Sequence, residues 1–209
     1  MNFIFISPQF PKHYWNFCDR LKKNGVNVLG IGDSPYDALS DELKNALTEY
    51  YYLPHLDDYG EMVKAVGFFT FKYGKIDWIE SNNEFWLAQD ARLRTDFHVT
   101  TGEQYDHIDR IKNKSAMKAY YAKAGVPTAR LHKVTSFEAG RDFAHMVGYP
   151  VIVKPDNGVG ACDTYKLRSD DELAYFYATK PQDVPYVMEE FINGQIFSYD
   201  AILDSHSEP

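Results

Sequence analysis

The sequence predicts an α/β protein in two parts: a parallel sheet wrapped by helices, then a smaller α+β unit. Three observations predict it. Over the first hundred or so residues, apolar runs of strand length alternate with amphipathic stretches of helical period, the pattern of a parallel sheet covered on both faces. Beyond roughly residue 100 the texture changes, and strands follow one another across tight turns. The apolar content, 44% hydrophobic and 16% aromatic over 209 residues, is that of a packed globular chain with room for two domains.

The elements follow in order. "FIFIS" reads as a buried first strand. "KHYWNFCDRLKKNG" has helical period, with Trp15, Cys18 and Leu21 on one side and Gly25 as its stop. "VNVLGIG" is a second strand, "SDELKNAL" a short helix with Ser40 as N-cap, and "YYYLP" a third strand closed by Pro54. "GEMVKAVGFFTFKYG" is a helix, "KIDWIES" a fourth strand and "NEFWLAQDARLRTDF" another helix. These elements make a first domain over 1–100, leaving 101–209 as the second.

The second begins with "YDHIDRIKNKSAMKAYYAKAG", read as one helix stopped by Gly125. "TARLHKV" is a strand. "TSFEAGRDFAHMVGYP" opens with Thr135 three residues before Glu138, a capping-box spacing, and Ser169 and Glu172 repeat it in "RSDDELAYFYATK". "VPYVMEEFI" and "QIFSYDAIL" are strands around the turn Asn193–Gly194. The last strand runs into turn-type residues with no strand after them, so the second unit reads as unfinished, with an unpaired edge.

Composition narrows the function. The formal charge is −8 and Lys and Arg form no long runs, which argues against a general nucleic-acid binder but leaves room for a local basic pocket. Two cysteines, Cys18 and Cys162, make neither a disulfide framework nor a metal pattern. The seven histidines include no HExxH, so no metal ligands are assigned. The start "MNFIFISPQFPKHYW" has no basic leader or small-residue cleavage site, and no apolar stretch has membrane-spanning length; a cytoplasmic protein with no membrane partner is expected.

The chemistry concentrates in "VIVKPDNGVGACDTYKL", residues 151–167. It is not a P-loop, because Lys154 precedes the glycines and no Lys-Ser or Lys-Thr follows them into a helix. A dinucleotide fingerprint is also absent, since "FIFIS" runs into "PQFPKHYW" without glycine. Two readings remain for residues 154–161. One is a plain hairpin turn. The other is a glycine loop that presents backbone N–H groups to a polyphosphate, with the lysine at the strand end as a fixed positive charge.

Three stretches taken together carry a family resemblance: "NKSAMKAYYAKAGVPTARLHKV", then "GYPVIVKPDNGVGA", then "YVMEEFINGQIFSYD". In this order they resemble the ATP-grasp superfamily, specifically its biotin carboxylase-like and carbamoyl phosphate synthase-like carboxylate–amine ligases. The resemblance implies a pre-ATP-grasp doubly wound domain followed by an ATP-grasp small subdomain, with the large subdomain missing. It implies that Lys154 and Lys114 bind ATP phosphates, and that Gly158, Val159, Gly160 and Ala161 close over them. "MEEFI" becomes the hinge, where Glu189 accepts from the adenine amino group or orients lysines. Glu190, Phe191 and Ile192 then offer backbone groups and apolar contact to the base. Helical spacing also sets Lys114 in the arc of Ile111, Met117, Tyr121 and Ala124. The partners implied are a small-molecule carboxylate and an amine, and a homodimer is left open.

The sequence departs from the family in three places. The glutamate expected to hold the ribose is Ile196 here, and Cys162 stands where small or hydroxyl residues are frequent. The family's magnesium ligands lie beyond the hinge, so Mg2+ is expected only in the full-length protein and this piece is expected to be inactive alone. No catalytic residue is assigned. Glu84, after the fourth strand, is a candidate for the acceptor cleft, against a bland reading as a first-turn acid on the helix dipole. The rival to a ligase is a nucleotide-binding or partner-binding module without chemistry.

Overall fold

The computed structural model describes residues 1–158 and 162–201. They divide into two units, 1–124 with 157–158, and 125–156 with 162–201.

In the first unit, β1 (Asn2–Ile6), β2 (Asn27–Gly32), β3 (Glu49–Tyr52) and β4 (Trp78–Glu80) form a parallel sheet in the order β3-β2-β1-β4. Period-two alternation sorts the side chains between two faces. Ile4, Ile6, Leu29, Ile31 and Ile79 pack in one core with Met62, Ala65, Val66 and Phe69 of α3 (Tyr59–Tyr73) and Leu93 of α4 (Leu87–Asp96). Phe3, Phe5 and Val28 take the other face. There they meet Cys18 of α1 (Trp15–Lys23) and Leu43 and Ala46 of α2 (Asp41–Ala46). A sheet with helices on both faces needs near-continuous apolar strands, and "FIFI" and "VLGI" supply them. Ser40 caps α2 as expected, accepting from the Leu43 N–H at 3.2 Å.

A buried polar cluster fixes α4 to the end of β4. The Asp90 carboxylate accepts from the Ser81 N–H at 3.0 Å and the Ser81 hydroxyl at 2.5 Å. Arg94, one helical turn on, donates to the carbonyls of Ile79 at 2.7 Å and Glu103 at 2.8 Å, and to Glu80 Oε2 at 3.3 Å. Burial first, then the nearby Glu80 carboxylate, pushes the Asp90 carboxyl up to about 8 from its ordinary 3.8. The native state therefore holds this proton more tightly than the unfolded chain. The contribution to stability is complete below the ordinary value and is lost as pH rises through the raised one. Between about pH 6 and pH 8 the chain should lose on the order of 2 kcal/mol that Asp90→Asn does not lose. Urea unfolding at several pH values checks this; parallel pH profiles for the two proteins would refute it.

One expected helix is broken. Instead of a single run from residue 105, a 3-10 turn at Tyr105–His107 leads to α5 (Asp109–Lys112), and α6 (Lys114–Lys123) starts afresh. Asn113 between them is extended, with φ −93° and ψ 121°. Asparagine bonds its own backbone readily and favours helix ends over interiors. The break removes the arc argument for Lys114, because Ile111 lies on a different helix.

In the second unit, β5 (Leu131–Lys133), β6 (Val151–Pro155), β7 (Tyr165–Leu167) and β8 (Tyr186–Glu190) form an antiparallel sheet in the order β5-β8-β6-β7. α7 (Phe137–Val147) and α8 (Asp170–Thr179) cover one face, where Phe143, Ala144, Leu173 and Phe176 pack on Val151, Val153, Leu167, Tyr186 and Met188. The cap of α7 is Ser136, whose hydroxyl accepts from the Ala139 N–H at 3.2 Å, rather than Thr135. A cap one residue later keeps the Phe137 ring against this core. Ser169 caps α8 as expected, at 3.3 Å from the Glu172 N–H.

The strand expected at 195–203 is not formed over its described part. Residues 195–201 have no regular structure, and Ile196, Phe197 and Tyr199 are 94%, 80% and 84% exposed. Their alternation suits a strand, but a strand holds only when a neighbour takes its N–H and C=O groups, and among the described residues none does.

Candidate functional site

The face of the second sheet opposite its helices carries the polar chemistry. Register fixes which residues share it. Ile152 pairs with Glu189 and with Lys166, and Lys154 pairs with Val187. Side chains two apart on a strand point the same way, so Ile152, Lys154, Lys166, Val187 and Glu189 all project from this face. Val151 and Val153 point to the other side and are fully buried in the helix-covered core, which settles their role as packing.

Lys154 ends β6 where the strand meets Pro155, and its ammonium lies 2.7 Å from Glu189 Oε2. The Lys154 side chain keeps 26% exposure and that of Glu189 11%. A carboxylate this buried is tolerated because a cation sits beside it. The pair therefore fixes a positive charge at the strand end with one side still open to solvent.

Glu190 points the other way and is engaged differently. Its carboxylate accepts from the Arg130 backbone N–H at 2.8 Å and from Arg130 Nε at 2.7 Å, with Nη2 at 2.6 Å. This two-point clasp ties the end of β8 to the start of β5. It leaves the backbone, not the Glu190 carboxylate, as what this residue offers a ligand. Phe191 and Ile192 follow without regular structure, 39% and 64% exposed.

Lys166 shares this face, though the motifs do not mark it. Its ammonium lies 3.7 Å from the centroid of the Phe191 ring, a cation–π contact that places a second lysine on the face holding Lys154. Alternation along "DTYKL" puts Lys166 opposite the buried Leu167, which was the available signal; its pairing with Ile152 was not.

The other expected phosphate ligand, Lys114, belongs to the first unit. It opens α6 and donates to the carbonyl of Gly158 at 3.2 Å. The loop between β6 and β7 thus enters its glycine stretch held by a lysine. Val159, Gly160 and Ala161 lie outside the described residues. Cys162 is exposed. Glu84 is exposed and precedes α4, so it is not a first-turn acid; its neighbours Asn83, Phe85 and Trp86 line a cleft.

Among the described residues, no three His, Cys, Asp or Glu side chains converge as ligands of a metal ion would. Nor is any helix long and apolar enough to cross a membrane.

Residues 109–195 match the family described as "Carbamoyl-phosphate synthase L chain, ATP binding domain". The L-arginine-specific L-amino acid ligase of Bacillus subtilis is 27% identical over 163 residues, 77% of this chain and 38% of that protein. A carbamoyl phosphate synthase large chain of Clostridium botulinum is 25% identical over 197 residues, 90% of this chain and 18% of its own length. Among solved structures, the biotin carboxylase domain of Hydrogenobacter thermophilus 2-oxoglutarate carboxylase superposes with a TM-score of 0.72 at 20% identity, over 91% of this chain and 44% of that one. It is described as a dimer in complex with MgADP, ADP and bicarbonate. N5-carboxyaminoimidazole synthetase from Staphylococcus aureus, complexed with ADP, gives 0.69 at 18% identity over 92% and 47%. The chain spans less than half the length of each of these proteins.

Proposed function

The chain belongs to the ATP-grasp superfamily, and from that premise we propose that it is the ATP-binding portion of a ligase that activates a carboxylate as an acyl phosphate for attack by an amine or related nucleophile. In this reading residues 1–100 are the pre-ATP-grasp domain and 101–209 the nucleotide-binding region. The observation that carries it is the Lys154–Glu189 pair at 2.7 Å on the sheet face opposite α7 and α8.

ATP, when bound, supplies the phosphoryl group. Phosphoryl transfer asks the protein mainly for positioned positive charge, and this chain holds it ready. Lys154 is fixed by Glu189, so little reorganisation is needed when phosphate oxygens approach. Lys114 donates to the carbonyl of Gly158, the first glycine of the loop. Lys166 and Phe191 flank the same face, and the exposed Phe191 and Ile192 offer apolar cover to a base. Magnesium is expected of the family, and no ligand for it is assigned among the described residues.

A second reading, a nucleotide-binding or partner-binding module without chemistry, is favoured by one observation. Ile196, where the resemblance expects a ribose-binding glutamate, is apolar and 94% exposed.

Thermal unfolding with ADP and with ATP tests nucleotide binding. At a hundredfold excess over Kd, a bound nucleotide should stabilise the chain by about 2.7 kcal/mol. Unfolding curves that neither nucleotide moves would overturn the proposal. Release of ADP from ATP in the presence of a carboxylate and an amine separates the ligase from the module.

A further inference from the structure

We propose that the second unit carries a small-molecule site on the helix-covered side of its sheet, built for an organic monocation with a flat aromatic body. Register places it away from the nucleotide face. Tyr165 and Leu167 of β7 lie two apart and point toward α7 and α8, while Lys166 between them points to the side of Lys154 and Glu189. β7 is the last strand in the order β5-β8-β6-β7, so its outer flank meets no further strand among the described residues. A groove of about 350 Å³ opens between β7 and α8. Tyr165 and Leu167 line it from the strand. Asp171, Glu172, Tyr175, Phe176 and Thr179, which share one face of α8, line it from the helix.

The floor of the groove is aromatic and already packed. The Tyr165 ring centroid lies 5.3 Å from that of Phe176 and 6.3 Å from that of Tyr186. Phe176 in turn meets Tyr186 edge-on at 5.3 Å. Leu167, Phe176 and Tyr186 are buried in the core of the unit, so the floor keeps its shape without a ligand. Tyr175 stands above it, 72% exposed. A large exposed ring beside a preformed apolar floor is a surface that a flat ligand covers.

The charges of the lining decide the sign of the ligand. It carries two carboxylates and no cation. Glu172 is engaged: its Oε2 accepts from the Arg168 N–H at 2.8 Å and lies 3.8 Å from the Arg168 guanidinium. The Thr179 hydroxyl is committed to the Tyr175 carbonyl at 2.8 Å. Asp171 is exposed and forms no ion pair among the described residues. A first-turn acid by itself would only complement the helix dipole. This one also lines an aromatic groove. A carboxylate beside tyrosine rings favours a cation twice, through its own charge and through the negative faces of the rings. The same lining repels nucleotides and carboxylates. The volume is that of a small-molecule pocket. The occupant is therefore an arylalkylammonium, with its ammonium at Asp171 and its ring against Tyr165 and Tyr175.

Calorimetric titration of the 209-residue chain with tryptamine tests this. The comparison compounds are tryptophol, with a hydroxyl in place of the ammonium, indolepropionate, with a carboxylate there, and butylamine, with no ring. Tryptamine should bind at least about threefold more tightly than each, the scale of one exposed ion contact with a ring contact added. Sodium chloride at about 1 M should narrow its advantage over tryptophol. Asp171→Asn should bring tryptamine down to the affinity of tryptophol, and Tyr175→Ala should weaken both. Both residues are exposed, so neither substitution opens the core. Asp171→Asn should leave ADP affinity unchanged, which separates this site from the nucleotide site. No heat with tryptamine up to about 10 mM, or any comparison compound binding as tightly, would overturn the proposal. So would either variant binding tryptamine like the parent, or a parallel loss of ADP affinity in Asp171→Asn.

Discussion

Lys154→Met should abolish the stabilisation that ADP or ATP gives this chain, weakening nucleotide binding by roughly 30-fold to 1,000-fold. The range follows from charge-assisted hydrogen bonds to phosphate, about 2–4 kcal/mol for one or two lost, at tenfold per 1.4 kcal/mol. Methionine keeps the stem and removes only the charge, so packing at the end of β6 is preserved. The substitution has a second effect that must be separated. Glu189 would keep its place, with 11% of its side chain exposed, but without the cation 2.7 Å away. The free protein should then lose stability even without nucleotide. Lys154→Met combined with Glu189→Gln removes both charges together and should recover part of that stability without restoring nucleotide affinity. Calorimetric Kd values for ADP, measured well below the unfolding transition, read the binding effect alone. A Kd within threefold of the parent's in both variants would remove Lys154 from the site.

What the sequence revealed and what it hid divide along local and non-local lines. The strands of the first unit were legible because burial on both faces leaves near-continuous apolar runs, as in "FIFIS". Ser40 and Ser169 were legible as caps because a cap is settled within four residues. Lys154 could be singled out because it ends an apolar run before Pro-Asp-Asn-Gly. Its pairing with Glu189, 35 positions away, could not be read, since that depends on the β6–β8 register. Lys166 was missed for the same reason: its neighbours in sequence look like an ordinary surface strand, and only the pairing with Ile152 sets it on the Lys154 face. The break at Asn113 was missed because periodicity continues across it while the backbone does not. The resemblance gives Glu189 and Glu190 different roles, and the partners of each, Lys154 for one and Arg130 for the other, follow from strand register with adjacent residues facing opposite ways.

Arg94→Met should destabilise the first unit by about 3–5 kcal/mol, the cost of leaving buried polar partners unmatched. In sequence Arg94 is one more charged residue on a helix. In the fold it is 2% exposed and supplies donors to the carbonyls of Ile79 and Glu103 and to the Glu80 carboxylate. Its guanidinium also packs under Gly102, where φ is +75° and an added Cβ would sit 3.3 Å from Arg94 Cζ. Arg94→Lys should fail almost as badly, since one ammonium cannot replace a planar fork that reaches three acceptors in different directions. Neutralising Glu80 as well should return little, because the two carbonyls would still lack donors. The location of the loss can be read directly. All three tryptophans, Trp15, Trp78 and Trp86, lie in the first unit, whereas backbone circular dichroism samples both. Urea unfolding of Arg94→Met should show the tryptophan transition moving to lower denaturant. If the second unit holds by itself, the dichroism transition should become biphasic, with the later phase unmoved. If both signals shift together, the two units unfold as one, and the buried arginine supports the second unit's sheet as well as its own. A tryptophan transition within about 1 kcal/mol of the parent's would mean that water or neighbouring donors satisfy the Ile79 and Glu103 carbonyls, and that the cluster does not fix α4 to β4.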